Sequence, residues 1–271
     1  MLVDHIVVSR ESIKSNDAYA VIKSNISMVN YLLEEGAEPG ELSPDALGSY
    51  YVDYYLAEVT NGGIAQFMFN CCGEHRILDH ITRALPLLGA TGHAGLFSEV
   101  RAGWEAMDAE EKRVFLDGGL FNSPDPFEGL SDRVYELNGS EDLIELNSAF
   151  IRNHPNLEVI RLKRLEAHLA GIIRTIPDLA ARLAERERLA EENKPRYARI
   201  IDVICEEYGM ELVRITAGDP GFIHEGEERV AWHILTDQGH YSMVDMGERA
   251  VAFDDDGDEI AVVDIARVPA G

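Results

Sequence analysis

The stretch TNGGIAQFMFN, residues 60–70, places two adjacent glycines inside sequence with helical grammar, and its reading decides the fold of the first half of the chain. Upstream, Ser43-Pro44 is a capping residue followed by proline at the first helical position. After it, Leu47, Tyr50, Tyr51, Tyr54, Tyr55 and Val59 recur every three or four residues. This predicts a helix ending at Asn61-Gly62, because the residue closing a helix often needs a left-handed backbone, which glycine adopts freely and asparagine tolerates. A second, short helix then starts at Gly63. Within it Gln66 and Asn70 are four residues apart and share a face, so their amides are expected to bind the loose backbone groups of the junction. The role predicted for Asn61, Gly62, Gly63, Gln66 and Asn70 is therefore structural.

Working outward, residues 74–88 carry Ile77, Leu78, Ile81, Leu85 and Leu88 at helical spacing, and GATGHAGLFSEVRAGW resumes the pattern after a glycine break. Asp108 and Glu111 form a capping box for a helix over 109–116, and Ser140 is expected to cap another. Between them LFNSPDPFEGLSDR, residues 120–133, reads as a loop. Leu162, Leu165, Leu169, Ile172, Ile176, Leu179 and Leu183 follow an alternating three-four spacing, interrupted at Pro177, which predicts a kink or two abutting helices rather than one straight rod. Such a stripe suits a dimer seam or packing within the chain, and packing within the chain is expected. Beyond EENKP (191–195) the grammar changes: a helix with Ile200, Ile201, Ile204 and Tyr208 ends at Gly209. Alternating β-type segments follow near 211–216, 229–235, 240–246, 249–253 and 259–266. The fold class expected is α+β. An all-helical N-terminal domain with the following amphipathic helix pair occupies 1–193, and a small α+β domain with an antiparallel sheet occupies 196–271.

At 271 residues, 46% hydrophobic and 27% charged, the chain can bury a substantial core. No apolar run approaches the roughly 20 residues of a membrane helix, and MLVDHIVVSR lacks the basic start and cleavage site of a signal peptide. A cytoplasmic location without membrane attachment is expected. Cys71, Cys72 and Cys205 make neither a disulfide framework nor a C-x-x-C pair and are expected to be buried apolar fillers. The outlying quantity is charge: 49 acidic residues face 24 basic ones, for a net of −25. Residues 1–150 hold 25 acids and 9 bases, 151–200 hold 7 and 11, and 201–271 hold 17 and 4. A field of this sign repels nucleic acid and acidic membranes, whose binding requires Lys and Arg to neutralise phosphates. Direct nucleic-acid binding is disfavoured. The acidity serves solubility or a basic protein partner.

Chemistry-bearing patterns are sparse. DDDGDE, residues 254–259, lacks the ligand spacing and terminal glutamate of a calcium loop, whereas Asp256-Gly257 between two β-type segments is a hairpin turn signal. His75 and His80 are five apart, which splays their rings relative to the four-residue zinc spacing, with Asp79 beside them. His233, Asp237 and His240 bracket a turn and read as solvated or cross-strand partners. No nucleophile elbow, phosphate loop or dinucleotide fingerprint occurs. Glu110-Glu111 reads as a solvated first helical turn rather than an acid-base pair. No catalytic residue, metal or cofactor is predicted, and the reading is non-enzymatic.

The block Asn61, Gly62, Gly63, Gln66, Phe67, Phe69, Asn70, Gly73, then a helix and Leu88-Gly89-Ala90, resembles the DMP-type DNA-mimic protein family. FNSPDPFEGLSDRVYEL also looks like that family's loop and short helix before the closing one. The resemblance spans about residues 25–155 and does not reach 195–271. Ile64 stands where the family commonly shows an aromatic residue. What the resemblance implies is an all-helical, acidic N-terminal domain, a homodimer in the family's namesake, and carboxylates that stand in for DNA phosphates before a basic, DNA-binding protein. Together with the charge of residues 1–150, it makes Glu105, Asp108, Glu110, Glu111, Glu141, Asp142 and Glu145 the candidate partner-binding residues. Two other readings stay open: an enzyme or small-ligand-binding protein with a pocket near residues 61–70, and an adaptor or immunity-type protein acting through residues 196–271.

Overall fold

Ser43 starts the central helix, its hydroxyl accepting the N–H groups of Asp45 (3.3 Å) and Ala46 (3.4 Å) just before Pro44 locks the first turn. That helix, α3 (Pro44–Asn70), is broken at Gly62 (φ −155°, ψ 23°) and Gly63 (φ 81°, ψ −178°). The break falls at the predicted glycine pair, but the positive φ belongs to Gly63, expected to begin the second helix, and the helix resumes one residue later at Ile64. This is a computed structural model that describes residues 1–118, 125–224 and 226–268.

Two compact units divide the chain, Met1–Ala180 and Ala181–Gly271. In the first, β1 (Ile6–Ser9), α1 (Arg10–Lys14) and α2 (Tyr19–Glu34) precede α3. After it come α4 (His75–Leu88), α5 (Thr91–Ala106), α6 (Ala109–Gly118), α7 (Leu130–Asn138), α8 (Leu143–Arg152), β2 (Leu157–Ile160) and α9 (Leu162–Ile173). Tyr55, Phe67 and Phe97 meet edge to face at the centre of the core, with Tyr55 5.2 Å from each of the other two rings. α3 and α4 approach closely because Gly48 lies against Ala84, where a Cβ would come within 2.9 Å of the alanine methyl. Asn25 and Asn147 tie α2 and α8 to α3 by donating to the carbonyls of Ala46 (2.9 Å) and Ser49 (3.0 Å). Leu165, Leu169, Ile173 and Ile176 join this core, so the middle of the heptad-like stripe packs within the chain, while Leu162 and Leu183 stay exposed.

Several expectations need correction. The N-terminal unit is not all helical, because β1 and β2 form a parallel pair in the register Ile6↔Leu157 to Ser9↔Ile160. Part of the loop read over 120–133 is helix from Leu130 onward, and residues 120–124 of it lie outside the described residues. Asp142 rather than Ser140 caps α8, accepting from Ile144 (2.9 Å) and Glu145 (3.1 Å), while Ser140 donates to Leu137. Cys71 and Cys205 are buried, but Cys72 is exposed and left-handed (φ 50°), because the reversal after α3 passes through Cys72 and Gly73 (φ 60°).

The second unit contains α11 (Arg196–Tyr208) and the strands β3 (Leu212–His224), β4 (Glu227–Thr236), β5 (Gly239–Asp245), β6 (Arg249–Phe253) and β7 (Glu259–Asp264), an antiparallel meander in that order. Ile200, Ile201 and Ile204 of α11 pack on Ile234, Met243, Ala252 and Val263 of the sheet. α10 (Leu179–Glu192), which joins the units in sequence, buries no residue. Its C-terminal carbonyls at Glu191 and Glu192 accept from the buried Arg199. The Asp254–Asp258 turn closes the last hairpin, with Gly257 at φ 83° and the Asp254 carboxylate accepting from Asp256 (3.0 Å) and Asp258 (2.9 Å). The chain is α+β, and among the described residues no helix is long and apolar enough to cross a membrane.

Candidate functional site

The break in α3 frees backbone groups, and α7 satisfies two of them. Tyr135 donates its hydroxyl to the Val59 carbonyl (2.8 Å), and Ser131, one helical turn earlier, accepts the Ile64 N–H (3.0 Å). Gln66 and Asn70 do something different from the prediction. Both side-chain amides donate to one oxygen of Glu58, at 2.8 and 2.7 Å, so they clamp the two halves of α3 through a carboxylate rather than through loose backbone groups. Glu58 lies eight and twelve residues upstream of its partners, and only the bend between the half-helices brings them together.

Held this way, α7 runs beside α5. Arg133 reaches across as a bidentate fork to Glu99 (2.6 and 2.8 Å). That hydrogen bonding holds the Glu99 carboxyl below its ordinary range and lifts the Arg133 guanidinium above its own. A cleft of about 390 Å³ between the two helices is lined by Thr91, Gly95, Glu99, Arg133, Glu136 and Leu137, among others. Glu141 sits at the start of α5, accepting from the N–H of Gly92 (3.0 and 2.9 Å) and of His93 (3.3 Å). Burial pushes the Glu141 carboxyl up, but these N–H donors at a helix N-terminus outweigh it and hold its pKa low. His93 is fully buried with Nε2 on the Glu141 carbonyl (3.1 Å) and Nδ1 without a partner, and burial pushes its pKa down.

The seven candidate carboxylates fall into two groups. Glu105, in the last turn of α5, and Asp108, Glu110 and Glu111 just after it form one group, while Glu141, Asp142 and Glu145 surround the start of α8, where Glu141 meets the opposite end of α5. Gly92 and Glu105 are separated by about 20 Å of helix. Six of the seven have a local task. Glu105 pairs with Arg101 (2.8 Å) and Glu110 with Arg113 (2.6 Å). Asp108 and Glu111 exchange two 2.8 Å bonds in the expected capping box, Asp142 caps α8 and Glu141 caps α5. Glu145 is exposed without such a bond. Sequence reading missed Glu128, Asp132 and Glu136, which are exposed and whose side chains make no hydrogen bond or ion pair among the described residues. Asp132 and Glu136 are four apart on α7 and share its face, a signal hidden because the start of the segment reads as loop.

The histidine groupings do not gather ligands. Asp79 pairs with Arg101 (2.6 Å) and His80 stacks on Tyr51. His233 and His240 are stacked cross-strand neighbours bonded to Ser242 (2.9 Å) and Asp255 (2.7 Å), while Asp237 accepts the Glu211 N–H. Among the described residues no three His, Cys, Asp or Glu side chains form a metal-binding group.

Residues 40–154 match the family described as DMP19-like protein. Comparison with curated proteins and with solved structures yields no match. The matched segment contains α3 to α8, hence the broken helix, its clamp and the α5–α7 face.

Proposed function

We propose that the DMP19-like segment binds a basic, DNA-binding protein by presenting carboxylates in place of phosphates. The observation that carries this reading is the state of its charges. Residues 40–154 contain 19 acidic and 7 basic residues, and all seven bases are engaged locally. Arg76, Arg83, Arg101, Arg113 and Arg133 pair with carboxylates, Arg152 donates to backbone carbonyls at the end of α1, and Lys112 lies over the Trp104 ring. The surplus of negative charge therefore has no uncommitted cation to meet within the segment. Its unengaged members, Glu128, Asp132, Glu136 and Glu145, are the groups with which an incoming cationic surface interacts at least cost. Asp132 and Glu136 are about 6 Å apart along α7, one helical turn.

The test is affinity purification followed by competition. The captured partner should bind duplex DNA and release this protein when excess duplex is added. Its affinity should fall steeply with salt, because exposed charges are screened over about 8 Å at physiological ionic strength. Each exposed pair contributes about 0.2–1 kcal/mol and reversal replaces it with a repulsion of similar size, so changing both Asp132 and Glu136 to Lys should weaken binding by about 0.8–4 kcal/mol, roughly fourfold to several hundredfold. A partner held equally well at high salt or beside excess duplex refutes the mimicry.

A further inference from the structure

We propose that Arg10, Arg161 and Arg164 form a binding site for a small molecule carrying a diphosphate. The site lies outside the DMP19-like segment and is independent of the reading above. Its geometry follows from the β1–β2 pair. Because Ser9 is in register with Ile160, the residues that follow, Arg10 and Arg161, leave the ends of the two parallel strands side by side. Arg164 stands one helical turn beyond Arg161 on α9 and shares its face. With Val159 and Ile160 the three arginines line a cleft of about 460 Å³, within the size range of small-molecule sites.

Three unpaired arginines share this one cleft. Elsewhere in the N-terminal unit Arg76, Arg83, Arg101, Arg113 and Arg133 each have a carboxylate partner, Arg152 donates to backbone carbonyls, and Arg174 stands without a side-chain bond among the described residues. In a chain with twice as many acids as bases, Arg10, Arg161 and Arg164 make no side-chain hydrogen bond or ion pair among the described residues. The neighbouring carboxylate, Glu11, forms no ion pair with them: its Oε2 accepts the Leu162 N–H at 3.0 Å. Three guanidinium groups around one cleft repel one another, and an anion placed among them removes that repulsion. Guanidinium presents a rigid fork that fits phosphate oxygens two at a time, and three positive charges match a diphosphate near neutral pH. The exposed Val159 beside them supplies apolar surface for an organic moiety.

The experiment is calorimetric titration of the full-length chain with inorganic pyrophosphate, ADP and citrate, in parallel with ³¹P line widths. Saturable one-to-one binding of pyrophosphate is expected, with ADP at least as tight and citrate weaker. Arg161→Ala/Arg164→Ala should lower the affinity by at least about tenfold. Arg10→Lys should weaken it severalfold, because it keeps the charge and loses the fork, and Arg133→Ala should leave it unchanged. Absence of saturable binding at millimolar pyrophosphate, equal affinity in wild type and Arg10→Lys, or tighter binding of citrate would overturn the assignment.

Discussion

Gly62 and Gly63 are adjacent, yet the structure requires each for a different reason, and alanine substitutions separate the two. At Gly63 the backbone is the obstacle: φ 81° with ψ −178° lies in a region essentially confined to glycine, and occupying it with a side chain costs about 1–3 kcal/mol. A Cβ there would also approach the Ser131 hydroxyl at 2.8 Å and disturb its bond to the Ile64 N–H, adding about 1 kcal/mol. Gly63→Ala should therefore destabilise the N-terminal unit by about 2–4 kcal/mol, roughly 5–15 °C in Tm for a unit of this size. At Gly62 φ is negative (−155°), and the obstacle a side chain meets is Gln66, whose Oε1 would lie 2.0 Å from the new Cβ. Gln66 must swing away and release Glu58, which costs about 1–2 kcal/mol, while alanine returns about 0.4–1 kcal/mol by restricting the unfolded chain. Gly62→Ala alone is thus mildly destabilising. In a Gln66→Ala background it should become neutral or stabilising, since only a 3.1 Å contact to the Cβ of residue 66 remains, relieved by a shift of a few tenths of an ångström. Ser131→Ala should give no such rescue to Gly63→Ala. The chain contains two tryptophans, so Trp104 fluorescence in a Trp232→Phe background reports the N-terminal unit alone during denaturation. Equal losses for Gly62→Ala with and without Gln66 would refute the account of the clamp.

Two further outcomes follow from packing and titration. Limited trypsin digestion should cut first between Arg182 and Lys194, because α10 buries no side chain, and should leave separately folded fragments approximating residues 1–193 and 196–271; first cuts within α3 or the meander would overturn this. Burial lowers the folded pKa of His93, so below the unfolded value of about 6.5 the unfolded chain takes up a proton that the folded chain declines, and stability falls as pH drops from 7 toward 5. His93→Gln should flatten that fall. His5, whose folded pKa is raised, acts in the opposite sense but is common to both proteins and cancels in the difference. Identical pH profiles over pH 5–7 would rule out His93 as the titrating group.

What the sequence revealed was mostly what a few neighbouring residues decide among themselves. The stop at Asn61–Gly63, the Asp108–Glu111 box and the turn at Asp256-Gly257 depend on local dihedrals and bonds within four residues. Glu58 escaped detection because its contact with Gln66 and Asn70 depends on the angle between two half-helices. The β1–β2 pair was hidden for the same reason: two four-residue segments about 150 residues apart carry no periodicity of their own and become strands only when packed. In Ser140-Glu141-Asp142 every residue can cap a helix, and the choice went to the one whose carboxylate meets Ile144 and Glu145 while Glu141 turns to α5. The acidic face of α7 was obscured by the prolines and glycine just before it, although Ser131 and Tyr135 are spaced to meet the α3 break from one helical face.

A carboxylate that caps a helix is a poor phosphate mimic, because its charge already interacts with backbone N–H donors. Glu141 shows the conflict: three bonds from the first N–H groups of α5 hold it low in pKa, and a partner's arginine would have to compete with them. Losing such a cap costs about 0.5–2 kcal/mol. Charge reversal at Glu141 should therefore lower Tm by several degrees and weaken any cationic partner only as a consequence. Reversal at Asp132 and Glu136 should weaken the partner while Tm falls by no more than about 2–4 °C, since neither side chain bonds within the described residues and Asp132, in the first turn of α7, contributes about 0.3–1 kcal/mol through the helix dipole. Measuring Tm and partner affinity for both sets distinguishes recognition from helix maintenance. If Glu141→Lys keeps wild-type stability and alone abolishes binding, the assignment of Glu141 to α5, and of recognition to α7, is wrong.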